Sequence, residues 1–79
     1  MKATGPGSTV IRRARHRRQL GIRELASLAG VSKGAVIYWE LAEFQGKIRD
    51  VTLEKALRAM GTTLDQEQIA DIHYAQSSA

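Results

Sequence analysis

The chain has no cysteine and a single proline, and only 5% of it is aromatic. Without cysteine there is no disulfide framework, no thiolate nucleophile and no cysteine-based zinc site, and a reducing compartment fits. Two histidines far apart, His16 and His73, do not make a metal site either. With Tyr38, Trp39, Phe44 and Tyr74 as the only aromatics, a core must come mainly from Leu, Ile, Val and Ala. The longest uninterrupted apolar run is Ala35 to Trp39, far short of the ~20 residues of a membrane span. The opening Met-Lys-Ala-Thr-Gly-Pro-Gly lacks the apolar stretch of a secretory leader. The expectation is a soluble cytoplasmic protein with no membrane partner. At 79 residues one domain is the default, burying about 60% of its unfolded surface.

What the chain does have is an uneven charge. The net is +4. Residues 1–33 hold Lys2, Arg12, Arg13, Arg15, Arg17, Arg18, Arg23 and Lys33 against Glu24 alone, a surplus of +7. Residues 34–79 hold four basic and seven acidic residues, or −3. One end suits a polyanion and the other suits something else. The plainer possibility, a solvated basic helix, is the weaker of the two.

The pattern along the chain is helical throughout, with no strand pattern and no repeat. Residues 1–8, rich in Gly, Ser and Pro, read as a mobile arm. Ser8 or Thr9 caps a first helix reaching about Gln19, with Val10, Ile11, Ala14 and the stem of Arg18 as a thin apolar stripe. A second helix runs Ile22 to Ala29 after Gly21. Ser32 caps a third, about Lys33 to Leu41, and a loop follows over Ala42 to Asp50. Thr52 opens a fourth helix, with Leu53, Ala56, Leu57 and Met60 on one face and Gly61 ending it. Thr63 to Gln66 has capping-box spacing and starts a last helix with Ile69 and Ile72. One domain is expected over residues 9–75, with a frayed tail over 76–79.

The most specific stretch is IRELASLAGVSKGAVIYWEL, Ile22 to Leu41. Number it from one and it meets the demands of a helix-turn-helix. Position five must be small for two helices to cross closely, and it is Ala26. Position nine favours positive φ, and it is Gly30. The buried positions four, eight, ten, fifteen and eighteen are Leu25, Ala29, Val31, Val36 and Trp39. Two amphipathic helices around a glycine turn would meet some of these requirements, not all at this spacing. In such a unit the N-terminal part of the second helix meets base edges in the major groove. The base-reading candidates are Ser32, Lys33, Gly34, Ala35, Ile37 and Tyr38. Lys33 can donate to guanine or phosphate, and Ala35 and Ile37 can touch a thymine methyl. Gly34 allows close approach but reads nothing. The face lacks Gln, Asn and Arg, so readout leans on methyl contacts and DNA shape. Protein–protein contact is the alternative role for Ile37 and Tyr38. Arg12, Arg13, Arg17, Arg18 and Arg23 are the phosphate candidates. Arg12 and Arg13 differ by about 100° around a helix, so two or three are expected to touch DNA and the rest to be solvated.

The phrase Arg15…Leu20…Glu24-Leu25-Ala26…Gly30-Val31-Ser32…Trp39-Glu40, followed by Thr52-Leu53…Ala59-Met60-Gly61, resembles the Xre/Cro/C1-type regulators of bacteria and phages. The resemblance covers about residues 10–64. It implies an all-α, compact five-helix, lambda-repressor-like DNA-binding domain with a helix-turn-helix at 22–41. It also implies an ion pair between Arg15 and Glu40 that ties the first helix to the third. The segment from Glu40 through Phe44, Gly46 and Ile48 to Leu53 further resembles the mobile mystery protein A family, antitoxin-type repressors encoded beside a Fic-domain partner. Two departures stand out. Ile22 occupies the place where the family commonly has a phosphate-touching Gln, and the loop after the third helix is longer and carries Phe44.

Together these features point to a bacterial sequence-specific transcription regulator, a homodimeric repressor of its own promoter reading an inverted repeat in double-stranded DNA. The other class considered is an antitoxin-type module that holds a toxin enzyme through the acidic helix 64–75 or the Phe44 loop. Asp65, Glu67 and Asp71 otherwise read as a solvated face, His16 as exposed, and His73 as a packing or interface residue. RNA binding is disfavoured by the scarcity of aromatics that could stack on bases. No catalytic constellation or phosphate loop is present, so an enzyme is not expected, nor any cofactor.

Overall fold

The first helix begins at a residue that supplies its own cap. The Thr9 hydroxyl accepts from the Arg12 amide at 3.3 Å, and α1 runs Val10–Arg17. The computed structural model describes residues 9–78, with side chains from Thr9 to His73; the expected arm over residues 1–8 lies outside that range. Four more helices follow: α2 Ile22–Ala29, α3 Lys33–Phe44, α4 Asp50–Ala59 and α5 Leu64–Ser78. The described residues are all helix and connection, with no strand, gathered into a globule with a radius of gyration of 12.2 Å. None of the helices is long and apolar enough to cross a membrane.

α2 packs on α3 and α4, while α1 spans the group and touches α3, α4 and α5. The centre is Ile11, Leu25, Ala26, Val36, Trp39 and Ala56, with Ile22, Val31, Ile48, Leu53 and Met60 packed around it. Each fully buried Ile, Leu or Val here contributes about 1.5–3 kcal/mol. Trp39 lies in this core, on the inward side of α3. α2 and α3 are separated by three residues. Gly30 adopts φ 71°, the left-handed conformation a Cβ opposes. The Val31 amide closes the turn by donating to the Ala26 carbonyl at 3.0 Å.

The limits of the elements differ from the sequence expectation in four places. α1 stops at Arg17 rather than Gln19, because the chain turns at Gln19 (φ 56°) and Arg15 Nη1 donates to the Leu20 carbonyl at 3.0 Å. α3 continues to Phe44, since Ala42, Glu43 and Phe44 contain nothing that breaks a helix. The loop therefore shrinks to residues 45–49, and α4 starts at Asp50 instead of Thr52. Thr63 Oγ1 accepts from the Gln66 amide at 3.2 Å to begin α5. That helix continues to Ser78, through most of the tail expected to fray.

Candidate nucleic-acid interface

The front of α3 is built from its cap. Ser32 Oγ accepts from the Ala35 amide at 3.2 Å, fixing the first turn with Ser32, Lys33 and Gly34 exposed. Helical periodicity then puts Val36, Trp39 and Glu40 inward and Ile37 and Tyr38 outward. Ala35 is half-buried between the two sides. Five of the six candidate base-reading residues are thus exposed along one helix segment, with Ala35 at its edge, and a Cβ at Gly34 would meet only Ser32 Oγ, at 3.9 Å. Lys33 has no ion pair among the described residues.

The back of α3 is held by charge as well as by the core. Arg15 Nε donates to Glu40 Oε2 at 2.7 Å and Arg15 Nη2 to Glu40 Oε1 at 3.3 Å. Both side chains are buried, so this forked contact is shielded from water and salt. Arg12 Nε shares Glu40 Oε1 at 3.2 Å while its side chain stays 50% exposed. A second carboxylate acts from the next turn of α3. Glu43 accepts from the Val10 amide at 2.8 Å and the Ile11 amide at 3.0 Å, capping the N-terminus of α1 across the fold. This contact joins residues over thirty positions apart and has no local spacing signal. It exists because α3 runs three residues further than expected.

The five phosphate candidates part company. Arg23 is exposed and has no ion pair among the described residues. Arg12 keeps half its surface free. Arg13, Arg17 and Arg18 instead turn to α5: Arg13 and Arg17 pair with Asp71 at 3.0 and 2.9 Å, and Arg17 and Arg18 pair with Glu67, the latter at 2.9 Å. These three are thus ion-paired across the fold, while Arg17 stays exposed and Arg13 and Arg18 half-buried. Lys47 and Arg49, between α3 and α4, are further exposed cations that a reading centred on α1 passes over.

Of the acidic residues of α5, Glu67 and Asp71 are accordingly turned toward α1, while Asp65 stays exposed as expected. Glu67 is 2% exposed and receives the Thr62 hydroxyl at 2.6 Å in addition to its arginines. Burial alone would raise its pKa, but hydrogen bonds from Thr62, Arg17 and Arg18 outweigh that and hold it at about 2. Burial likewise opposes the charge on Arg17, yet Glu67 and Asp71 raise its pKa above the ordinary value. The signal was present in the sequence as matched spacing: Arg13 and Arg17 stand four apart, as do Glu67 and Asp71. Of the two surfaces considered for a toxin, the acidic one is thus largely occupied by α1. His16 and His73 are both exposed.

Phe44, expected in a loop, stands on the last turn of α3 and edges a groove of about 400 Å³. Ile22, Ile37 and Leu41 make its apolar floor, with Thr9, Arg12 and Glu40 on the α1 side. Ile22 therefore contributes apolar surface at the start of α2, where a Gln could have met a phosphate. Compared with models of known protein families, with characterised proteins and with solved structures, the chain matches none.

Proposed function

We propose that this protein is a transcription regulator of the Xre type, in which α2 and α3 act as a helix-turn-helix and α3 reads DNA. The observation that carries the reading is the division of α3 into two sides. One is fixed by Val36, Trp39 and the Arg15–Glu40 pair, and the other presents Ser32, Lys33, Gly34, Ile37 and Tyr38 to solvent, with Ala35 half-buried at its edge. A reading helix needs that division, because base contacts are useful only when the helix is held at a fixed angle.

The mechanism has two parts. Arg12, Arg23 and Lys33 neutralise phosphates and bring the chain to any duplex. Ala35, Ile37 and Tyr38 then test the major groove through thymine methyls and backbone contacts, and Lys33 donates to guanine where one is in reach. One helix reads too few base pairs for selectivity in a genome. Two copies on the half-sites of an inverted repeat, one helical turn apart, supply the rest. Bound at its own promoter in the cytoplasm, such a pair represses by excluding polymerase. The activity needs no cofactor and no catalysis.

The test is selection of bound fragments from a random duplex library, followed by titration of the winning site over a salt series. An enriched inverted repeat, weakened at least tenfold by Lys33→Ala or Tyr38→Ala, is the expected result. With three cations per protomer in use, the slope of log K on log salt is about −3 per protomer, against about −5 if all five candidate arginines touched phosphate. No enriched sequence, with the two variants binding like the parent, overturns the reading.

A further inference from the structure

We propose that, free of DNA, the outer face of α5 seats in the α3 groove of a second copy of the chain. The described residues leave two exposed apolar strips at helical spacing. One is Ile37, Leu41 and Phe44 on α3, with Ile37 46% and Leu41 50% exposed; the other is Ile69 and Ile72 on α5, 56% and 55% exposed. The α5 strip faces solvent because the helix spends its charged side on α1. Glu67 and Asp71 point to Arg13, Arg17 and Arg18, which leaves the isoleucines outside. An isoleucine pair outward and a carboxylate inward inverts the usual arrangement of a surface helix, and such a strip asks for a cover.

The two strips match in pattern and in sign. On α3 the order is Lys33, Ile37, Leu41; on α5 it is Asp65, Ile69, Ile72. Laid parallel, Lys33 of one copy meets Asp65 of the other, Ile37 meets Ile69, and Leu41 meets Ile72. The first step is four residues on both helices, about 6 Å of rise; the second is four on α3 and three on α5, about 6 and 4.5 Å. Lys33 and Asp65 are both exposed, and neither has an ion pair among the described residues. The α3 side is the concave member, with Ile22 completing its apolar lining. A strip paired with its own copy lacks this complementarity, since Lys33 would meet no acid and Asp65 no base. The contact joins unlike surfaces, so it either closes reciprocally into a two-fold dimer or extends from copy to copy. It covers Ile37 and so competes with the base contacts proposed above. Self-association would thus withdraw the protein from DNA as its concentration rises.

The test needs no DNA, so its outcome is separate from that of the transcription-regulator reading. Sedimentation of the full chain at low salt is followed from roughly 10 µM to 1 mM, the range expected of a small interface. The weight-average mass should climb above 8.7 kDa. Leu41→Asp and Ile69→Asp, both at exposed positions, should each remain monomeric with unchanged helicity. An equimolar mixture of the two should regain a 1:1 dimer, since one keeps the ridge and the other the groove. Lys33→Glu and Asp65→Lys should each weaken association at least fivefold, and their mixture should restore it. A parent that stays at monomer mass throughout overturns the proposal. So does sensitivity to only one of Leu41→Asp and Ile69→Asp, which would mean like strips pairing, and so does a mixture that stays monomeric.

Discussion

Glu67 joins the last helix to the first, and Glu67→Gln isolates that junction. The carboxylate sits at about 2 in the folded protein, against an ordinary value of 4.5. A depression of that size corresponds to about 3 kcal/mol at neutral pH. A glutamine keeps the shape and the Thr62 hydrogen bond but leaves Arg18 without a charge partner and Arg17 with Asp71 alone, so the expected loss is about 2–3 kcal/mol. For a chain of this size, with total stability of about 4–12 kcal/mol, that is a lowering of the melting temperature by roughly 10–20 °C. Because the folded pKa is depressed, the contribution of Glu67 is complete above about pH 5 and is lost as pH falls toward 2. The gap between parent and variant should therefore be widest at pH 7, narrow below pH 4.5 and close near pH 2. Urea unfolding followed by far-UV circular dichroism between pH 7 and pH 2.5 measures it. A gap that stays constant down to pH 2.5, or one under 0.5 kcal/mol at pH 7, refutes the argument that burial of this carboxylate is outweighed by its arginines.

Three further outcomes follow from the contacts around α1 and α3. Glu40→Ala strands the buried Arg15 and should cost about 3–5 kcal/mol, whereas Arg15→Met combined with Glu40→Leu should recover most of that loss; a double-mutant cycle by denaturant unfolding shows whether the two are coupled. Glu43→Ala frees the Val10 and Ile11 amides and should cost about 1–2 kcal/mol, with hydrogen exchange at those two amides rising more than elsewhere. Gly30→Ala meets no atom within 4 Å, so its cost should be the left-handed backbone alone, about 1–2 kcal/mol by thermal melting.

The all-helical fold was legible because every helix but α4, whose N-cap Arg49 makes no side-chain cap bond, starts where its local pattern says. Thr9, Ser32 and Thr63 cap, Gly30 turns, and α2 has the limits its apolar period implies. The outer side of α3 was legible for the same reason, since burial of Val36 and Trp39 dictates which neighbours face out. What local pattern could not give was the direction of charge. A run of arginines and a run of acids each look solvated when read alone, and only the packing of α5 on α1 pairs Arg13, Arg17 and Arg18 with Asp71 and Glu67. The end of α3 was missed because a helix stops where a breaker or cap appears, and none precedes Gln45 and Gly46. That one extra turn brought Glu43 to the start of α1 and Phe44 to the edge of the groove.

In the proposed complex DNA meets the N-terminal half of α3. Titrating the selected duplex into ¹⁵N-labelled protein and following each backbone amide tests it directly. The largest shifts should fall at residues 22–24 and 32–38, with Lys33, Gly34 and Tyr38 foremost, and residues 64–73 of α5 should change little. Shifts concentrated on α5, or absent from residues 32–38 while the duplex is bound, would contradict it.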